Sequence, residues 1–153
     1  MVMFRGQYEH AIDAKGRTSL PSRYRDALMA SGDPRLVITR SLDRKQPCLH
    51  VFPMKEWEKI EERIAELPEL DPHATMLRRI YVSAAVDCEL DKHGRLLIPN
   101  SLRDFAGLQK SVVWAGGGKK AELWAKEKWD EALTMTEEQE QAFLRAVAEQ
   151  LRI

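Results

Sequence analysis

The chain has 153 residues, room for one ordinary domain or two very small ones. A composition 44% hydrophobic and 31% charged excludes a disordered polymer, and no apolar run reaches the ~20 residues that a membrane-spanning helix needs. Lysine plus arginine number 24, as do aspartate plus glutamate, which argues against a protein that holds an anionic polymer by bulk charge alone.

The opening Met1–Arg5 stretch lacks the apolar core of an export signal, so an unexported, cytoplasmic chain is expected, starting at Met1 or Met3. Phe4 to Ile12 then reads as a strand. Lys15-Gly16 is a turn, and Arg17 to Leu20 a second strand. Pro21 stands at the first position of a short helix that continues through Arg23 to Met29 and stops at Ser31-Gly32-Asp33-Pro34. Leu36 to Thr39 and Cys48 to Phe52 read as strands joined by a charged loop. Pro53 opens a helix with Met54, Trp57, Ile60, Ile64 and Leu67 on one face. Asp71 caps the next helix, with Pro72 at its first position, through Met76, Leu77 and Ile80.

The second half repeats the plan. Ala85 to Leu90 is a strand, His93-Gly94 a turn, Arg95 to Ile98 a strand, and Pro99 to Ala106 a short helix stopped by Gly107. Val112 to Trp114 and Ala121 to Trp124 are strands around Gly116-Gly117-Gly118, followed by a helix with Trp129 and Leu133. Thr136 caps a last helix with Phe143, Val147 and Leu151 on one stripe. The tryptophans and apolar stripes are read as core or subunit interface.

This is a literal repeat. Asp13-Ala14-Lys15-Gly16-Arg17 returns 78 residues later as Asp91-Lys92-His93-Gly94-Arg95, and the register holds through Arg25-Asp26 and Arg103-Asp104. Both copies read Asp-x-x-Gly-Arg-x-x-(Leu/Ile)-Pro. Trp57 and Trp129 are 72 apart, so the first copy carries six extra residues in its charged loop, Ser41 to Pro47. Halves this small rarely bury enough apolar area to stand alone, so they must share a core. The expected division is residues 3–70 for the first module, 71–84 for a connecting helix, and 85–153 for the second module with its C-terminal helix.

In the motif, Asp13, Gly16, Asp91 and Gly94 suit hairpin chemistry: aspartate accepts from turn N–H groups and glycine supplies positive φ. The turn itself does not need the arginines. An arginine held by a rigid hairpin suits bidentate recognition of phosphate or guanine, and a two-stranded ribbon fits the major groove. A purely structural Asp–Arg pair is the competing account. Around the first copy Lys15, Arg17, Arg23 and Arg25 face only Asp13, whereas Glu137, Glu138, Glu140 and Glu149 crowd the C-terminal end, so a net charge of zero hides a polarised chain.

With the opening Phe4-Arg5-Gly6 and the Trp57 helix, the paired motifs resemble the MraZ family of bacterial DNA-binding regulators over nearly the whole chain. The resemblance implies an α+β fold of two tandem swapped-hairpin modules of the AbrB/SpoVT type, forming a pseudo-dimeric barrel with peripheral helices. It also implies a ring-shaped homo-oligomer, an octamer or larger, that binds direct repeats in promoter DNA of the division and cell-wall gene cluster, in the cytoplasm at the nucleoid. The family's Asp-x-x-x-Arg signature falls on Asp13 with Arg17 and on Asp91 with Arg95; its turn lysine is matched by Lys15, with His93 in that place in the second copy.

Other chemistry finds no motif. Gly116-Gly117-Gly118-Lys119-Lys120 lacks phosphate-loop spacing. His10, His50, His73 and His93 show no metal-ligand spacing with one another or with Cys48 and Cys88, which are read as reduced, packed thiols in strands. No catalytic residue, metal or cofactor is expected. The reading is a sequence-specific DNA-binding transcriptional regulator. Arg17 and Arg95 are its base-reading candidates, and Lys15, Lys92, Arg5 and Arg23 its candidate phosphate contacts. An oligomeric interaction scaffold without DNA binding is the alternative, and a small hydrolase the remoter one.

Overall fold

The structure is a computed structural model, and it describes residues 3–152. Met1, Val2 and Ile153, on which the start-site and leader readings and the end of the second module partly rest, lie outside them. The first half runs β1 (Gln7–Ala11), β2 (Arg17–Ser19), α1 (Ser22–Ala30), β3 (Leu36–Arg40), β4 (Leu49–Pro53) and α2 (Met54–Ala65). After α3 (Pro72–Leu77) come β5 (Val86–Cys88), β6 (Arg95–Leu97), α4 (Asn100–Ala106), β7 (Ser111–Gly116), β8 (Ala121–Ala125), α5 (Lys126–Ala132) and α6 (Glu137–Leu151).

Several boundaries differ from the sequence reading, each for a local reason. The strand expected from Phe4 breaks at Gly6, whose φ is +96°; Phe4 instead exchanges two backbone hydrogen bonds with Gly118, at 2.6 and 2.8 Å. Pro21, Pro53 and Pro99 are N-caps rather than first helical residues, because their ψ of 139–151° is still extended. Asp71 does cap α3, its carboxylate accepting from the His73 N–H. The helix then widens into a π-helical turn, Arg78–Val82, that carries the buried Tyr81. The strand expected over Ala85 to Leu90 shrinks to three residues.

All pairing is antiparallel. Six strands form one sheet in the order β1-β7-β8-β4-β3-β5, and β2 pairs with β6 as a separate ribbon. The order is a palindrome of the repeat: each copy's first strand lies on the other copy's third strand, β1 on β7 and β5 on β3. The sheet is open at β1 and β5, and among the described residues no strand closes it into a barrel.

One core serves both halves. Ile12, Leu20, Tyr24, Leu28, Ile38 and Leu49 from the first pack with Leu96, Ile98, Leu102, Val112, Trp114 and Leu123 from the second. On the opposite face of the sheet, Val37 and Phe52 receive Trp57 from α2 and Tyr81. The equivalent place in the second copy is thinner, with Val113 and Trp124 under a partly buried Trp129. The expected stripe on α6 belongs to no core: α6 buries none of its residues, and Phe143, Leu144 and Leu151 are each about half exposed or more. No described helix is long and apolar enough to cross a membrane.

Candidate nucleic-acid interface

The two Asp-x-x-Gly-Arg turns are the same object built twice. In the first, Asp13 Oδ1 accepts the backbone N–H groups of Lys15 (3.0 Å) and Arg17 (2.9 Å), while Oδ2 accepts from Arg17 Nε at 2.8 Å. In the second, Asp91 Oδ1 accepts from the N–H groups of His93 (2.8 Å) and Arg95 (2.9 Å), and Oδ2 from Arg95 Nε at 2.9 Å. Gly16 and Gly94 supply the φ of +88° and +75° that closes each turn. Only the N–H of Lys15 and His93 is used by the turn, so their side chains are free to differ. The backbone N–H of the arginine holds both aspartates below the usual carboxylate range, aided next by the Arg17 guanidinium at Asp13 and by the His93 N–H at Asp91.

Aspartate thus grips each arginine by Nε, the innermost nitrogen, and takes no hydrogen bond from the outer fork. The pairing of β2 with β6 sets both forks on one face. Arg17 lies opposite Leu97 and Arg95 opposite Ser19, while the alternate residues Thr18 and Leu96 point inward and are buried. The outer face of the ribbon therefore reads Arg17, Ser19, Arg95 and the 59%-exposed Leu97. The two arginines stand about 7 Å apart along the strands and about 5 Å across. Each keeps about a third of its side chain exposed, 34% for Arg17 and 31% for Arg95.

Lys15 and Lys92 are exposed in the two turns beside these arginines. Arg5 and Arg23 are exposed too, but they line a separate cleft with Tyr24 and Asp26. The six candidate cations thus divide into a ribbon-and-turn group of four and a pair elsewhere.

Sequence reasoning assigned no role to Arg25 and Arg103. A Cβ on Gly16 would stand 2.7 Å from the Arg103 guanidinium and 2.8 Å from the Ile98 carbonyl, and one on Gly94 would meet Arg25 Nη1. Each turn is also bonded to the other copy's strand: the Ile98 N–H donates to the Gly16 carbonyl at 2.8 Å, and the Leu20 N–H to the Gly94 carbonyl at 3.1 Å. Membership in the repeat was the available signal, but which turn each arginine covers depends on the exchange of strands.

A second cluster was also missed. Cys48 and His50 lie two residues apart around the start of β4 and so share a face, with Glu122 of β8 directly opposite His50. Sequence spacing could not show this cluster, because the third donor comes across a ladder rather than along the chain.

The family model described as "MraZ protein, putative antitoxin-like" matches residues 3–80 and again 82–150. The chain belongs to the MraZ family. Its relatives include the "Transcriptional regulator MraZ" of Thioalkalivibrio sulfidiphilus, 44% identical over 99% of this chain and 100% of the relative. Those of Natranaerobius thermophilus (44% identical) and Nitrosomonas europaea (45%) each align over 84% of this chain and over 85% and 84% of their own lengths. The two matched segments place one family unit on each copy of the motif.

Proposed function

We propose that this chain regulates transcription by binding promoter DNA through the β2·β6 ribbon and its two turns. The observation that carries this reading is the pair of identically built turns that aim two arginine forks outward from one ribbon face. That its relatives are named transcriptional regulators supports the regulatory role. Arg17 and Arg95 read bases; Lys15 and Lys92 contact flanking phosphates, and Arg5 and Arg23 meet the backbone farther along. Asp13, Gly16, Asp91 and Gly94 hold the turns.

The two modules, 3–70 and 85–153 joined by 71–84, exchange strands as swapped hairpins of one pseudo-dimeric unit, a reading supported by the palindromic strand order. Copies of the chain close into a ring of eight or more, supported by the uncovered apolar residues of α6 and by Leu70, 94% exposed. The ring sits on direct repeats upstream of division and cell-wall genes, in the cytoplasm at the nucleoid, and carries out no catalysis. A footprint on DNA upstream of the chain's own gene tests the reading: protection of short, regularly spaced repeats is expected, and uniform or absent protection overturns it.

A further inference from the structure

We propose that Cys48, His50 and Glu122 form a binding site for one divalent transition metal ion of the zinc class, pinning β4 to β8 at the seam between the two repeats. The three donor atoms lie within 4.8 Å of one another, with Cys48 Sγ and His50 Nε2 each 3.8 Å from the same carboxylate oxygen, Glu122 Oε2. Neighbouring donors around a tetrahedral zinc stand about 3.3–3.6 Å apart, so the two contacts to Glu122 must tighten by a few tenths of an ångström and the widest separation in the cluster by up to about 1 Å. Thiolate, imidazole and carboxylate together suit zinc and its neighbours rather than magnesium or calcium.

Each donor is already aimed. His50 Nδ1 is 2.7 Å from the Tyr81 hydroxyl, which leaves Nε2 facing the other two donors. Such an outer partner is what fixes ring orientation in metal-ligating histidines. Trp124 Nε1 donates to Glu122 Oε1 at 3.2 Å and turns Oε2 toward Cys48 and His50. Ser41 holds Cys48 from both sides: its N–H donates to the Cys48 carbonyl at 2.9 Å, and its Oγ accepts the Cys48 N–H at 3.1 Å.

The site opens into a cleft of about 270 Å³ lined by Ser41, Leu42, Asp43 and Gln46. These belong to the six-residue excess of the first copy, so the extra loop walls a site that the second copy lacks. Burial, followed by the Glu122 carboxylate, pushes the Cys48 thiol up to about 12, and the Lys120 ammonium acts the other way, so it is the metal's own charge that must displace the proton. Binding breaks the Cys48 S–H bond, forms the metal–sulfur bond and releases that proton to water.

Cobalt(II) is the probe, added to chelator-stripped full-length protein. One equivalent per chain should give a thiolate-to-cobalt charge-transfer band and visible bands of tetrahedral intensity, both removed by one equivalent of zinc. Cys48→Ser should abolish the charge-transfer band. Glu122→Gln, on the solvent side, keeps the fold testable and should weaken zinc at least 10-fold. Tyr81→Phe leaves every donor in place and should weaken it 10- to 100-fold. His73→Gln, exposed on α3, should change nothing. Absence of a charge-transfer band at micromolar cobalt overturns the proposal, as does a band that survives Cys48→Ser and disappears with Cys88→Ser.

Discussion

Arg17 and Arg95 sit where recognition and folding can be separated. Each is tied by one nitrogen to a solvent-exposed aspartate, so truncation opens no cavity. Arg17→Ala should keep the melting temperature and lose about 1–3 kcal/mol of specific DNA binding per hairpin, read by titration of repeat DNA. Lys15→Ala should weaken all sequences alike and flatten the dependence of log affinity on log salt. Gly16→Val should lower stability and binding together, because its side chain would meet Arg103 and the Ile98 carbonyl at a positive φ. His50 gives a pH signature. Burial, followed by the Lys120 charge, pulls its pKa from 6.5 down to about 4 and outweighs the pull of Glu122 in the other direction. Between those values the unfolded chain binds the proton that the folded one refuses, so stability rises with pH. Acidification of metal-free protein from pH 6.5 toward 4 should cost up to about 3 kcal/mol, and His50→Gln should flatten that slope. The Asp–Arg turns were legible in the sequence because every bond their aspartates accept spans four residues or fewer. Glu122 was not, because only the β4–β8 register brings it to His50.

The ribbon and the last helix make opposite predictions at the scale of elements. Leu96, wholly buried beneath the β2·β6 ribbon, lies in the core shared by both halves. Leu96→Ala should cost about 2–5 kcal/mol, and chemical denaturation should remain a single transition, since the largest core is shared by both halves. α6 has a complete capping box between Thr136 and Gln139 but no buried residue. Removing it should leave the melt nearly unchanged and alter the assembly seen by light scattering; a collapse of the fold would contradict its peripheral place. Element types were readable from period and capping residues, and the caps at Asp71 and Thr136 stand where expected. The ends were not. Whether a proline belongs to the strand or the helix turns on one ψ angle, and the strand from Phe4 is cut by the backbone of Gly6.

For the whole molecule the repeat was visible, and so was the need for a shared core, but not the exchange that creates it. Identical motifs say that two copies exist, not that β1 passes its own β3 to reach β7. On the proposed reading, a chain of zero net charge would draw its DNA affinity from many hairpins acting at once. DNA with several repeats should bind roughly 10²–10⁴ times more tightly than DNA with one, and the particle should scatter as a multiple of the 17.6 kDa chain. Equal affinity for both DNAs, or a monodisperse monomer at micromolar concentration, would remove the ring.

The strand exchange also has a consequence in time. Ala11, at the end of β1, is paired with Ser111, made one hundred residues later. At about 5–20 residues per second, the ribosome takes about 5–20 s to deliver that partner. Throughout this interval β1 is an unpaired edge, and the strand that resembles β7, its own copy's β3, has already emerged. Synthesis therefore offers the wrong partner first, and the native order forms only when β5 arrives to claim β3 and β7 arrives to receive β1.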